Sequence, residues 1–169
     1  MADRTFAGLS YDAVLQKYAD TVAGVCVMRL QNWADAEDCF QNTFIKLFQK
    51  SPDFQDENHL KAWLIRVAIN ECHGYIAKNR RFLSLDSVDR ESYEHASAVW
   101  HDNERDVSWA LMRTAPKYRE VLYLSFFEDM SADDIAVVMR KKRNYVYQIV
   151  FRAKKALKDE LEKEGFVYD

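Results

Sequence analysis

Apolar side chains in this chain recur three or four positions apart, the spacing that places them on one face of an α-helix. Three stretches in the first half show the pattern: 10–30, 35–49 and 60–78. In the first of them the residues are Leu15, Tyr18, Val22 and Val25. Only 4 Gly and 2 Pro occur among 169 residues, fewer turn formers than a turn-rich β architecture needs. The sequence therefore predicts an all-α protein.

No segment predicts export or membrane insertion. The N-terminus lacks a basic stretch followed by an apolar core, and no apolar run approaches the roughly 20 residues of a spanning helix. Cys26, Cys39 and Cys72 lie within apolar helical patterns. We therefore expect buried free thiols in a reducing cytoplasm, rather than disulfides or metal ligands.

Charge is sorted along the chain, although the formal net charge is only -3. Residues 140–158 hold eight basic residues and no acid, and residues 59–82 hold five basic residues and one acid. Between them, residues 83–108 hold seven acids and two basic residues. A charge run is often only a solvated face, so the elements that carry these runs decide their interpretation. We predict two small helical domains, at 1–82 and 109–169, joined by a flexible acidic linker at 83–108.

The C-terminal third predicts a helix-turn-helix. Pro116 suits the first turn of a helix, and Ser131 followed by Asp134 resembles a capping box before a short second helix. A tight turn at 140–143 comes next, and Asn144 is the expected N-cap of a longer last helix. A short helix, a tight turn and a longer basic helix form the unit that places a recognition helix in the major groove.

Spacing divides the last helix into an inner and an outer face. The expected inner residues are Val146, Ile149 or Val150, Ala153 and Leu157. The outer residues are candidates to contact base edges: Tyr145, Tyr147, Gln148, Phe151 and Arg152. The basic residues around them are candidates to contact phosphates: Lys142, Arg143 and Lys155, with Arg140, Lys141 and Lys154. The alternative is a helical hairpin with a charged face, which seldom excludes every acid over such a length.

The stretch 60–78 and the basic residues after it mix aromatic, amide and cationic side chains. The candidates to bind DNA are Lys61, Trp63, Arg66, Asn70, His73, Lys78, Arg80 and Arg81. Aromatic rings beside cations stack on unpaired bases and hold the backbone of a single strand. The alternative is that Trp63 and Tyr75 are core residues.

The stretch 35–48 has a second face, opposite its Phe40 stripe. Asp38, Gln41, Asn42 and Ile45 follow the i, i+3, i+4, i+7 spacing there. Such a face can dock on a partner helix or coiled coil, and an ordinary solvated face is the alternative.

We expect no enzyme. The sequence has no Gly-rich phosphate loop, no spaced Cys/His metal set and no Gly-x-Ser-x-Gly elbow, so we expect no cofactor and no metal.

The order of these parts resembles the extracytoplasmic-function (ECF) group of bacterial sigma factors, the small alternative sigma factors of the sigma-70 family. The resemblance covers nearly everything from Tyr11 to Leu161. Its most specific pieces are Asp35-Ala36-Glu37-Asp38 through Phe48, Ala62-Trp63-Leu64-Ile65-Arg66-Val67-Ala68-Ile69-Asn70, Tyr118-Arg119-Glu120-Val121-Leu122 and Ser131-Ala132-Asp133-Asp134-Ile135-Ala136.

The resemblance implies a role for each segment. Asp38, Gln41 and Asn42 would contact the clamp coiled coil of core RNA polymerase. The loop 52–58 and the helix after it would recognise and melt the downstream promoter element, with Asn70 at the family's contact position. The helix-turn-helix would recognise the upstream element. The linker would thread through the polymerase towards the RNA exit channel.

The resemblance also implies an anti-sigma partner and association with the nucleoid when polymerase is bound. Because the sequence has no spare heptad stripe for a dimer, we expect a monomer when the chain is free. Four positions depart from the family: Asn42 where Glu is usual, Arg140 where Gly is common, and Tyr147 and Ile149 where basic residues are frequent. Two alternatives remain, a helix-turn-helix regulator that acts without polymerase and a decoy that binds polymerase or anti-sigma factor without initiating transcription.

Overall fold

The computed structural model describes residues 4–30, 32–79, 105–163 and 165. Seven α-helices and one π-helix account for the regular structure of these residues, beside one isolated bridge between Phe6 and Leu9. The all-α prediction is confirmed. Most of the predicted linker, together with Arg80 and Arg81, lies outside the described residues.

Three helices form the N-terminal domain: α1 (Tyr11–Leu30), α2 (Trp33–Lys50) and α3 (Glu57–Asn79). Each packs against the other two, around a core that includes Val22, Leu47, Leu60 and Leu64, all 0% exposed. Helix α2 begins two residues before its predicted start, because the Asn32 side chain accepts a hydrogen bond from the Asp35 N–H and acts as the N-cap.

The third helix also begins earlier than the sequence suggested. We expected a loop at 52–58, but α3 starts at Glu57, so the expectation is wrong for its last two residues. The reason is local capping: the Asp56 carboxylate accepts a hydrogen bond from the His59 N–H.

One cysteine of each helix lies buried in this domain, and Cys26, Cys39 and Cys72 are free thiols, as predicted. Hydrogen bonding between the Cys39 and Cys72 thiols, together with burial, holds the pKa of Cys39 well above its usual range. Thiol hydrogen bonding and burial also hold the pKa of Cys72 well above its usual range, so Cys39 and Cys72 stay protonated at neutral pH.

The C-terminal domain consists of α4 (Arg105–Arg113), α5 (Pro116–Leu122), a π-helix (Tyr123–Phe127), α6 (Ala132–Met139) and α7 (Arg143–Lys163). Helix α7 packs on α4, α5 and α6. Helix α4 starts inside the segment assigned to the linker, so the predicted boundary at residue 109 falls within a helix. Periodicity did not predict the π-helix, in which the Glu128 N–H donates to the Tyr123 carbonyl.

Local signals correctly indicated two of the three helix starts that the sequence predicted in this domain. Pro116 occupies the first turn of α5, and the Ser131 hydroxyl accepts the Asp134 N–H at the start of α6, as predicted. The prediction of Asn144 as the N-cap of α7 is wrong, because α7 already begins at Arg143 and the Val146 N–H donates to the Lys142 carbonyl. Among the described residues, no helix is both long and apolar enough to cross a membrane.

Candidate nucleic-acid interfaces

The outer face of α7 is open to solvent. Tyr145 and Tyr147 are each 47% exposed and Phe151 is 75% exposed, an unusual degree for aromatic side chains. Gln148 and Arg152 are also exposed. Val146, Ile149, Ala153 and Leu157 are buried on the opposite side, so the division predicted from spacing is confirmed.

Basic side chains surround this aromatic face. Lys142, Arg143 and Lys155 are exposed, and Lys154 lies 5.8 Å from the centre of the Phe126 ring. The turn between α6 and α7 puts Arg140 in the left-handed region, at φ 55° and ψ 46°. Its N–H and that of Lys141 bond back to the last carbonyls of α6, which closes the turn without Gly.

Arg143 joins the two helices of the motif. Its Nε lies 2.6 Å from Asp133 Oδ1 on α6, and its Nη2 donates to the Tyr147 hydroxyl at 3.2 Å. The guanidinium also lies 5.3 Å from the centre of the Tyr147 ring, within the range of a cation–π contact. The hydroxyl contact and the Asp133 charge raise the pKa of Arg143.

The candidate residues of α3 share one side of that helix. Trp63, Arg66, Asn70 and His73 follow the i, i+3, i+7, i+10 spacing. Trp63 is half-buried and packs edge-on against Phe54 at 5.7 Å, so it serves the core as well as the surface. Asn70, His73 and Lys78 are exposed.

Unlike α7, this helix is in contact with the other domain. Lys61 Nζ lies 3.0 Å from Glu128 Oε2, and Arg66 Nη2 donates to the Val137 carbonyl at 3.3 Å. His73 Nε2 lies 3.7 Å from Glu120 Oε1. Three candidate DNA-binding residues of α3 therefore already have partners in the C-terminal domain.

A buried arginine supports this contact between the domains. Arg119 is 2% exposed, and its Nε donates to the Met28 carbonyl of α1 at 2.6 Å. Its Nη1 donates to the carbonyls of Thr114 and Met112 at 3.0 and 3.3 Å. Burial lowers the pKa of Arg119 to about 9, so the guanidinium keeps its charge at neutral pH.

Tyr123 fills a notch in α1 at Gly24. A Cβ on Gly24 would overlap the Tyr123 ring and hydroxyl, so only glycine allows this approach. The hydroxyl lies 3.3 Å from the Thr21 carbonyl and 3.1 Å from Glu128 Oε1. Nothing in the sequence indicated this interface, because Gly24 and Arg119 occur within ordinary helical patterns.

The exposed side of α2 matches its prediction. Asp38, Gln41 and Asn42 are exposed, and Ile45 is 47% exposed. Phe48 is 61% exposed and adjoins Ile45 and Tyr11 at a shallow apolar depression. We did not select Phe48 from the sequence, although its position three residues after Ile45 would have suggested it.

A helix-turn-helix with an open basic face, beside a second helical domain, defines a DNA-binding protein. Family models match both domains: residues 14–82 match Sigma-70 region 2, and residues 111–157 match Sigma-70, region 4. The RNA polymerase sigma-H factor of Pseudomonas aeruginosa is 29% identical, over 90% of this chain and 86% of that protein. The ECF RNA polymerase sigma factor SigE of Mycolicibacterium smegmatis is 26% identical, over 92% of this chain and 63% of that protein.

The fold has a counterpart among solved structures. It matches the sigma factor RpoE from Bartonella quintana, in complex with the anti-sigma factor NepR, with a TM-score of 0.68 and 20% identity. The match covers 90% of this chain and 96% of that one. Together with the two family models, these findings show that the chain belongs to the ECF group of the sigma-70 family. It is an alternative sigma factor, which directs promoter recognition with RNA polymerase, and sigma factors are non-enzymatic regulators.

Proposed function

We propose that the chain divides promoter recognition among three surfaces. The outer face of α7 binds the upstream element in the major groove. The Trp63–His73 side of α3, together with the loop before it, binds and helps to melt the downstream element. The exposed face of α2 at Asp38, Gln41 and Ile45 docks on the clamp coiled coil of core polymerase. The observation that carries the proposal is the α7 face, where exposed aromatic residues lie in a segment with no acid from 140 to 158.

The surroundings of α7 support a DNA contact rather than a solvated face. Lys142 and Lys155 suit phosphates, which position the helix, while Tyr147, Gln148 and Phe151 suit base edges. Exposed aromatic rings are costly in water and gain contacts against thymine methyl groups and sugars.

The proposed role of α3 requires an exchange of contacts. Lys61 and Arg66 bond to the C-terminal domain in this arrangement, and His73 lies 3.7 Å from Glu120. DNA therefore has to replace Glu128 and the Val137 carbonyl as partners of Lys61 and Arg66, and has to reach His73 beside Glu120. Trp63 is half-buried and keeps part of its ring available for an unpaired base. Melting then follows from binding energy, because contacts made only with unpaired bases favour the open duplex.

We further propose an anti-sigma partner, since the solved relative from Bartonella quintana was crystallised with one. The chain acts without catalysis, as a monomer when free, in the cytoplasm and at the nucleoid when polymerase is bound. The rival candidate is a regulator that uses only the helix-turn-helix, and the occupied side of α3 is the observation that favours it.

Run-off transcription tests the proposal. Core polymerase from a related bacterium is incubated with a random-promoter library, with and without the folded full chain. We expect new transcripts that share two spaced motifs upstream of their starts. Tyr147→Ala should weaken selection of the upstream motif, whereas Asn70→Ala should weaken selection of the downstream motif. The absence of any polymerase-dependent transcript would overturn the proposal and favour the regulator or the decoy.

A further inference from the structure

We propose that Asp133 is a specificity-determining residue: through Arg143 it fixes the Tyr147 hydroxyl as a hydrogen-bond donor to one base pair of the upstream element. The inference rests on the proposed function, since it assigns the chemistry of one contact on the α7 face. It requires three side chains from two helices to act as one unit.

The geometry of the three side chains forms a continuous chain of contacts. Asp133 lies in the first turn of α6 and pairs with Arg143 Nε at 2.6 Å. Arg143 lies in the first turn of α7 and reaches Tyr147 one turn later, through its Nη2 at 3.2 Å and through its cationic plane at 5.3 Å from the ring centre. Asp133 thus orients the Arg143 guanidinium through its Nε, and the guanidinium in turn orients the Tyr147 hydroxyl through its Nη2.

This arrangement decides what Tyr147 offers to DNA. Its oxygen already accepts a hydrogen bond from Arg143, so its own proton is free to be donated. The matching partners in the major groove are acceptors: N7 or O6 of guanine, N7 of adenine and O4 of thymine. A cytosine or adenine amino group at the same place would meet a donor and be rejected. The inferred preference is therefore for an acceptor in the major groove at that position.

The same contacts argue against Arg143 as a simple phosphate contact. Its charge is shared with the Asp133 carboxylate, which would itself repel a nearby phosphate. Two of the donors of Arg143 are used within the protein, at Asp133 and Tyr147. By contrast, Lys142 and Lys155 are exposed single charges of the kind that binds phosphate without sequence preference.

The competing explanation is purely structural: an acid in the first turn of α6 favours the positive end of that helix wherever its side chain points. Asp134 lies in the same turn and has the same charge, so Asp134→Asn is the matched control. A structural role predicts similar effects for Asp133→Asn and Asp134→Asn on stability and transcription. A positioning role predicts that only Asp133→Asn changes the preferred base.

The experiment uses the full chain in holoenzyme, with a library randomised in the upstream element and transcript counts as the measurement. Tyr147→Phe should reduce the preference at one base pair by about fivefold or more, since a good base contact discriminates by that much or better. Asp133→Asn should weaken the preference at the same base pair. The double variant should lose no more of that preference than Tyr147→Phe alone. Asp133→Glu should restore part of the preference.

Three outcomes would overturn the inference. A uniform gain in promoter binding by Asp133→Asn across all sequences would make Asp133 only a repulsive charge. If Asp133→Asn changed the preference at a different base pair from the one that Tyr147→Phe affects, the two residues would act independently. A lower salt dependence of promoter binding for Arg143→Ala, with base preferences intact, would make Arg143 a phosphate contact. Failure of the proposed function is distinct from all three, because the unmodified chain would then yield no promoter-dependent transcript.

Discussion

The two proposed DNA-binding surfaces differ in what occupies them. The α7 face is open, with Phe151 75% exposed, whereas Lys61, Arg66 and His73 of α3 contact the C-terminal domain. Both surfaces are rich in basic residues, so charge alone marks both as candidates to bind DNA. The difference shows that a basic segment defines a potential site, while the packing of the rest of the chain decides whether it is available.

The interface between the domains explains why α3 is occupied. Arg119 donates across it to Met28, and Tyr123 enters the notch at Gly24. Glu128 connects this notch to α3, because one of its oxygens lies beside the Tyr123 hydroxyl and the other beside Lys61. Changes at these residues should alter α3 while leaving the α7 face intact.

The largest effect is expected from Arg119→Met. The substitution removes three hydrogen bonds of a buried guanidinium and leaves the carbonyls of Met28, Met112 and Thr114 without that donor. We expect the free energy of unfolding to fall by roughly 3 kcal/mol, measured by urea denaturation. Arg119→Lys keeps the charge and should recover part of the loss. A decrease below about 1 kcal/mol would show that the guanidinium contributes little to the fold.

Gly24→Ala should have the next largest effect, because the added Cβ overlaps Tyr123. Overpacking of this kind costs about 1–3 kcal/mol, and we expect the domains to separate, with a larger radius of gyration in small-angle X-ray scattering. Gly74→Ala is the matched control, since a Cβ there meets nothing within 4 Å. Alanine in that helix should stabilise by about 1 kcal/mol. An equal free energy of unfolding and an equal radius of gyration in the two variants would contradict the close packing of Tyr123 against Gly24.

The sequence predicted local features far better than the interface. Spacing predicted the inner face of α7, and Ser131 predicted the start of α6, because both features depend on residues close together in the chain. The contact of Arg119 with Met28 joins residues 91 positions apart, and nothing near either residue signals it. The π-helix was missed for a different reason, since its 5 residues at the end of a helix are too few for apolar spacing to distinguish it from an α-helical turn.

A smaller effect, of opposite sign, is expected on the α7 side. Arg140 adopts φ 55°, a conformation that costs a non-glycine residue roughly 1–2 kcal/mol. Arg140→Gly should therefore raise the free energy of unfolding by about 1 kcal/mol, measured by thermal or urea unfolding. If Arg140 also contacts phosphate, the salt dependence of promoter binding should fall by about one unit of slope. Lower stability in Arg140→Gly would mean that the side chain makes contacts that outweigh its backbone strain.

The smallest expected effect comes from Glu128→Gln, which changes one charge at the junction of the two surfaces. Glutamine can still accept the Tyr123 hydroxyl, but it no longer pairs with Lys61 as an ion. Lys61 is partly exposed, so the pair contributes only about 0.2–1 kcal/mol, and binding of downstream fork DNA should strengthen by up to fivefold. Asp129→Asn removes a neighbouring exposed acid and serves as the control. Because the Glu128 carboxylate contacts Tyr123 and Lys61 at the domain interface, preferences in the upstream element should not change in either variant. A shift in those preferences would show that the two surfaces are coupled through the domain interface.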